Sequence, residues 1–358
     1  RFDDLVAIHR DTERFTSTHG LTYEQLSDPD FDTTANRSLI MMDPPEHTRY
    51  RKLVSRSFTP RAMAGYEDMI RAQMAEYLDP LMGRDEFDLV GEFSAPFPVE
   101  IICALLGIDD REKRQHIRHL ADITLHREEG EATGGAAAHE AMIEQAMLFY
   151  EFAAHIRSHP GDDICTALIE ARVETEDGEL TSLTDEEIAG FCSLLGAAGS
   201  ETVTKAVANA AVLFHRHPDQ WQKVKDDPTR IPDAVEEVLR YWAPSQYQGR
   251  MSTTDMEWHG VTVPAGKPIF LLTGAANHDE REFTDPDAFD IDRDQRLAIS
   301  LGHGVHTCLG AALARMETAV AIDEIRRRWP DFTVDEDRCE RVQMSNVAGY
   351  STVPVRTN

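Results

Sequence analysis

The chain has only five cysteines, Cys103, Cys165, Cys192, Cys308 and Cys339, widely spaced and without a Cys-x-x-Cys pair. An odd count with such spacing suggests neither a disulfide framework nor a zinc ribbon, and it fits a reducing, cytoplasmic setting. No uninterrupted apolar run approaches the ~18 residues of a membrane span, and Arg1 to Asp4 do not resemble a signal sequence. Basic residues are scarce: 36 Lys and Arg stand against 64 Asp and Glu, a formal charge of -28. That balance repels nucleic acid and anionic membrane surfaces. There is no Gly/Ser linker, Pro-rich hinge or fixed-period repeat, so residues 1–358 are expected to form one domain, and a monomer is expected.

What the chain does have is 41% hydrophobic and 28% charged residues, the composition of a globular protein with a sizeable core. Helix follows helix, each opened by a cap and closed by proline or glycine, with short strand-like runs between. The fold class predicted is mainly α with small β-sheets. Asp43-Pro44-Pro45-Glu46 reads as an Asp N-cap, a proline at the first helical position and a Glu three residues after the cap, opening a helix through His47, Arg51 and Leu53. Thr184 and Glu187 form a second capping box, and no proline interrupts the apolar-rich stretch until His217-Pro218. One helix of about thirty residues, roughly 45 Å at ~1.5 Å per residue, would cross the whole molecule. Pro218 and Pro232 each start a shorter helix. Val261–Val263 and Ile269–Leu272 read as two short strands around the tight turn at Pro264-Ala265-Gly266.

The most informative segment is Gly302-His303-Gly304-Val305-His306-Thr307-Cys308-Leu309-Gly310, which runs straight into Ala311-Ala312-Leu313-Ala314-Arg315 and Glu317. Gly302 and Gly304 allow left-handed turns and close approach to a flat ligand. Cys308 precedes a helix, whose free N–H groups and dipole lower a thiol's pKa and favour a thiolate, a good soft ligand for iron. Three rivals stand beside this reading: an inert buried thiol, a cysteine nucleophile, and zinc held by His303, His306 and Cys308. Three donors crowded into six residues offer a tetrahedral ion a poor cage.

This string resembles the cysteine-ligand loop of the cytochromes P450, Phe-Gly-x-Gly-x-His-x-Cys-x-Gly. It matches at every fixed position except the first, where Leu301 replaces the Phe. In that family the aromatic tempers the donor strength of the cysteine, so the resemblance implies ligation by Cys308 with altered tuning. The implied fold has a long central helix over a buried haem b, and Gly302, Gly304 and Gly310 shape the loop around it.

Further marks occur in the family's order. Glu237 and Arg240 match its Glu-x-x-Arg motif, and i,i+3 spacing puts carboxylate and guanidinium on one helix face. Arg293, after Pro286-Asp287-Ala288-Phe289, is the candidate third member of that structural group. The resemblance makes His47, Arg51, Arg250 and His306 the donors to the two haem propionates, which want cations and hydrogen-bond donors. Ala198-Gly199-Ser200-Glu201-Thr202 matches the oxygen-activation motif: Gly199 would give dioxygen room, Thr202 a hydroxyl and Glu201 a proton supply. Gly199 in mid-helix costs about 1 kcal/mol against alanine and calls for such a reason.

The implied activity is insertion of one oxygen atom from O2 into an apolar molecule of terpenoid, steroid or fatty-acyl type. There is neither a Gly-x-Gly-x-x-Gly after a strand nor an appended flavin domain. Electrons are therefore expected from a ferredoxin and its NAD(P)H-dependent reductase, docking near Arg51, Lys52, Arg56 and Arg315. The alternatives are a peroxide-driven haem-thiolate peroxygenase and a non-catalytic haem sensor or carrier. Leu195, Ala198, Ser245, Gln246 and Tyr247 are expected to line the substrate pocket, under a segment from Thr124 to Met147. Phe2 to Ser17 looks like an early helix that the family normally precedes with more chain, so the family's N-terminal segment is expected to be missing.

Overall fold

The computed structural model describes residues 1–31, 38–131, 133–174, 178–294 and 298–357. Its helices are α1 (Phe2–Arg10), α2 (Tyr23–Ser27), α3 (Glu46–Ser55), α4 (Pro60–Ala64), α5 (Glu67–Leu78), α6 (Pro96–Leu106), α7 (Arg111–Leu125), α8 (Gly135–Ser158), α9 (Ile164–Glu170), α10 (Asp185–Arg216), α11 (Pro218–Asp226), α12 (Ile231–Tyr241), α13 (Thr273–Ala276) and α14 (Ala311–Arg328). The strands are short: β1 (Phe15–Thr16), β2 (Glu86–Asp88), β3 (Val173–Glu174), β4 (Leu180–Thr181), β5 (Gln248–Ser252), β6 (Met256–Trp258), β7 (Val261–Val263), β8 (Pro268–Leu271), β9 (Thr333–Val334), β10 (Glu340–Arg341), β11 (Tyr350–Thr352) and β12 (Pro354–Arg356). They pair into small antiparallel sheets ordered β1-β5-β8 and β2-β12-β9, and the pairs β3-β4, β6-β7 and β10-β11.

The long helix forms as its caps dictate. The Thr184 hydroxyl accepts from the Glu187 N–H while the Glu187 carboxylate accepts from the Thr184 N–H, and 32 residues follow without a break. Its residues from Ile188 to Phe214 are mostly buried, because α6, α7, α8, α12 and α14 pack around it. A helix enclosed on so many sides reads as apolar all round rather than as one stripe. A second, smaller core joins α1 to the β1-β5-β8 sheet through Phe2, Leu5, Ile8, Phe15 and Leu271.

Two local expectations are corrected. Asp43 does not cap α3, which begins at Glu46 with no side-chain cap. The Asp43 carboxylate accepts instead from the Ser17 N–H at 3.0 Å and from the Thr16 hydroxyl, so a tertiary contact outcompetes the local one. The strands on either side of Pro264-Ala265-Gly266 do not pair with each other: β7 pairs with β6, and β8 with β5. Ser252 of β5 explains this, since its hydroxyl accepts from the Lys267 N–H at 2.8 Å and donates to the Pro264 carbonyl at 2.7 Å, pinning the turn to a different strand.

Candidate active site

The loop before α14 is wound as its glycines permit. Gly302 and Gly304 have φ of +75° and +70°, where a side chain would be strained. The closest approach at Gly304 is to the carbonyl of His9 at the end of α1, leaving no space for a Cβ. That glycine therefore seats the loop on α1. The Cys308 N–H donates to the Leu301 carbonyl at 2.7 Å, closing the loop, and the helix begins three residues on, at Ala311.

Cys308 is exposed, while Cys103, Cys165 and Cys192 are buried. The Gly310 N–H donates to its sulfur, and Arg51 and Arg315 favour the thiolate. Even so the thiol titrates above its ordinary value, because its protein surroundings penalise charge more than these groups help. The expectation of a pKa lowered by the helix terminus is thus corrected; a metal bound there would deprotonate the thiol outright.

Beside this loop lies a cluster of cations and imidazoles. His47 and His306 stack with ring centroids 4.2 Å apart, His306 meets the Ser17 hydroxyl at 3.2 Å, and Arg51 donates to the Thr307 carbonyl. Arg250 is 4% exposed and donates to the Gly249 carbonyl at 2.6 Å. His9, which carries no motif in the sequence, joins them: both its ring nitrogens and Nε2 of His47 are buried without a hydrogen-bond partner. Burial lowers every titration here, Arg250 to about 10, His47 to about 4, His9 to about 3 and His306 to about 2, and for the three histidines the charge of neighbours adds to it, Arg250 first for His9 and His306 and Arg51 first for His47. Only Asp43 opposes this for His47 and Arg250.

Orphaned donors and a nearly uncompensated positive field make a fitting seat for an anion. Their position beside an open cysteine sulfur suits a haem with its propionates. The zinc arrangement is not brought together, because Nε2 of His303 accepts from Arg10 Nε at 2.8 Å while His306 faces His47.

The Glu237–Arg240 pair is not a surface contact. Both side chains are fully buried, joined by two bonds of 2.7 and 2.9 Å, and the remaining Arg240 donors reach the carbonyls of Asn277, Pro286 and Ala288. All five guanidinium N–H groups are used, the condition for a tolerable buried charge. Arg293 Nε stands 3.5 Å from Glu237, and its other nitrogens donate to the carbonyls of Thr284, Asp285 and Ala288. Asn277 carries this hub toward the cysteine loop: its side chain accepts from the Ile299 N–H at 3.0 Å and donates to the Ser300 hydroxyl at 2.8 Å.

On α10, Ala198 is exposed and Thr202 partly so, one turn apart on a helix that is otherwise largely buried, and the Thr202 hydroxyl donates to the Ala198 carbonyl at 3.3 Å. At Gly199 a Cβ would lie 3.2 Å from Ile102, so the glycine also lets α6 approach closely. Glu201 is 2% exposed and paired with Lys205 at 3.0 Å.

Of the expected pocket residues, Leu195 is buried in the main core. Ser245 accepts from the Gln248 side chain, and the Gln246 amide is turned to the Ala243 carbonyl at 2.5 Å. Tyr247 faces a cavity of about 310 Å³ shared with Tyr23, Arg127, Glu131 and Met344. Arg127 and Glu131 come from the chain joining α7 to α8, within the expected covering segment, and Arg127 is clasped by Glu24 from the far side.

The family model described as cytochrome P450 matches residues 137–349. The chain belongs to the cytochrome P450 family. A relative from Mycobacterium tuberculosis described as putative cytochrome P450 123 is 37% identical, over 99% of this chain and 87% of its own. A solved P450 EryK mutant in complex with erythromycin B has a TM-score of 0.89 at 33% identity, covering 100% of this chain and 89% of its own. P450BioI, solved with a hexadec-9Z-enoic acid ligated acyl carrier protein, has a TM-score of 0.87 at 29% identity, covering 100% and 91%. The architecture is thus the P450 fold, and the protein is a haem-thiolate monooxygenase that binds haem b and uses O2, a redox partner and a hydrophobic substrate. Among the described residues, no single helix is long and apolar enough to cross a membrane.

Proposed function

We propose that the chain, as one domain and a monomer in the cytoplasm, inserts one oxygen atom into an apolar terpenoid, steroid or fatty-acyl compound. Electrons come from a ferredoxin and its NAD(P)H-dependent reductase. Haem supplies the iron at which O2 is reduced and split, one atom going to substrate and one to water.

The protein's own part divides among named residues. Cys308 gives the thiolate, with the Gly310 N–H spreading its charge. His47, Arg51, Arg250 and His306, joined by His9, hold the propionates. Glu201 and Thr202 order the proton supply, and Leu195, Ala198, Ser245 and Tyr247 shape the substrate side. Glu237, Arg240 and Arg293 keep the cysteine loop in register. The observation that carries the reading is the group of buried, unpartnered imidazole nitrogens around Arg250, beside the one exposed cysteine among the described residues. Exposed Lys52 and Arg56 on and just after α3, with Arg315 on α14, offer an acidic ferredoxin a cationic landing site on the cysteine side.

EryK's complex with erythromycin B and P450BioI's with a fatty-acyl carrier protein support a substrate that is large and mostly apolar. A spectral titration of the haem-loaded protein with terpenoids, steroids and fatty acids tests this: a saturable shift of the Soret band by at least one class is expected. No shift from any class overturns the substrate reading. Turnover with ferredoxin and reductase, but not with hydrogen peroxide alone, is expected for the electron route; the reverse would make the protein a peroxygenase.

A further inference from the structure

We propose that Lys205 of α10 is a positioning residue for proton delivery: its ammonium holds the Glu201 carboxylate at the closed end of the face that Ala198 and Thr202 leave open, and the two part when Glu201 serves Thr202. The proposal rests on the reading of Glu201 as the internal acid.

Residues 198, 202 and 205 recur at i, i+4 and i+7 and so share one stripe of α10. That stripe is open at Ala198, half-buried at Thr202 and shut at Lys205, which is 4% exposed. What shuts it is the chain at Gly349, where a Cβ would lie 2.6, 2.9 and 3.1 Å from Cβ, Cγ and Cδ of Lys205. Lysine is almost never fully buried and ordinarily carries its ammonium out to water on a flexible stem. Here backbone crosses the stem, so the ammonium stays inside the fold, where Oε2 of Glu201 meets it at 3.0 Å.

Glu201 lies as deep as its partner, 3% exposed at the side chain against 5%. Two such charges are tolerable together and costly apart, and Glu four residues before Lys is the favourable order along a helix. The hold is electrostatic rather than directional, because Oε2 has no aligned hydrogen bond in spite of the short distance. A carboxylate held in this way can turn about its own side-chain bonds while the pinned ammonium stays in place. Lys205 thereby fixes where Glu201 waits and where it returns. Glu201 takes a proton from water that enters along the open face, passes it on the Thr202 side and goes back to Lys205 as the anion. One proton enters for each that leaves, and Lys205 neither gives nor takes one.

The test uses the haem-loaded protein in turnover with ferredoxin and reductase, and the variants K205M, K205R, G349A, E201Q and E201Q/K205M. K205M is expected to bind haem and substrate while its ratio of product to hydrogen peroxide falls severalfold, with a changed solvent deuterium isotope effect. K205R, which keeps the cation, should recover both. G349A keeps the charge but displaces the lysine stem, and it should uncouple in the same direction as K205M; should K205M load too little haem, G349A carries the comparison. E201Q/K205M removes both charges and should match E201Q, because a residue that acts through Glu201 has nothing further to lose once Glu201 is gone. A K205M or G349A ratio equal to wild type, a K205R protein no better coupled than K205M, or a double variant that falls well below E201Q would each overturn the role of Lys205. If E201Q itself leaves the ratio unchanged, the reading of Glu201 fails, and the inference that rests on it falls with it.

Discussion

His47 and His306 lie ring against ring, 4.2 Å between centroids and tilted by 47°, although one belongs to α3 and the other to the loop before α14. Two imidazoles in such contact, with Arg250 near both, cannot readily both be charged, and His47 is held to about 4 by burial and by Arg51 and Arg250.

An acid-labile haem-free chain follows. His9 and His47 titrate near 3 and 4 when folded and at the ordinary 6.5 when unfolded. Below pH 6.5 the unfolded chain therefore binds more protons, and stability falls as pH drops toward those folded values. Each histidine contributes up to about 1.4 kcal/mol per pH unit in that window. Urea unfolding at several pH values measures the slope, which H47Q should reduce. Haem should flatten the slope, because anionic propionates favour the charged imidazoles. A slope unaffected by both H47Q and haem would contradict the propionate seat.

Removing one partner of the Glu237–Arg240 pair strands a charge with no exposure at all. E237A or R240A should lose ~3–5 kcal/mol and yield little haem-loaded protein. R293A should lose less, since Arg293 stands 3.5 Å from Glu237 and is itself 12% exposed. Expression, haem content and thermal midpoint measured together are the check; a normal E237A protein would show that the hub does not hold the cysteine loop.

The parts of this site legible in the sequence are those whose chemistry is packed into a few adjacent residues. The left-handed turns at Gly302 and Gly304, the Glu237/Arg240 spacing and the capping box of α10 each carry their own geometry and appear as read, whereas the lowered Cys308 titration does not. Where a distant segment decides, local reading fails. Asp43 looks like a helix cap until Ser17 and Thr16 claim it, and the turn at Gly266 looks like a hairpin until Ser252 pins it to β5. His9 carries no signal at all, since Arg250 and the loop before α14 give it its meaning only after folding. Gly199 is legible as a glycine needing a reason, and the close approach of Ile102 from α6 is one that the sequence does not show.

Thr202→Ala should leave haem content, fold and substrate binding intact, since its hydroxyl only meets the Ala198 carbonyl within its own helix. Without that hydroxyl the protons arrive unordered, and reduced dioxygen escapes as hydrogen peroxide. Product formed per NADH should drop severalfold while NADH oxidation falls much less. An unchanged ratio of product to peroxide under saturating ferredoxin would assign proton ordering to another group.

The central claim is that Cys308 supplies a thiolate to haem iron, and the carbon monoxide complex of the reduced protein reads that bond directly. Wild-type protein should show the strongly red-shifted Soret band that an anionic sulfur ligand produces, and Cys308→Ser, which offers a neutral hydroxyl, should lose it while Cys103, Cys165, Cys192 and Cys339 remain in place. A wild-type protein without that band, or a Cys308→Ser protein that keeps it, would contradict the account.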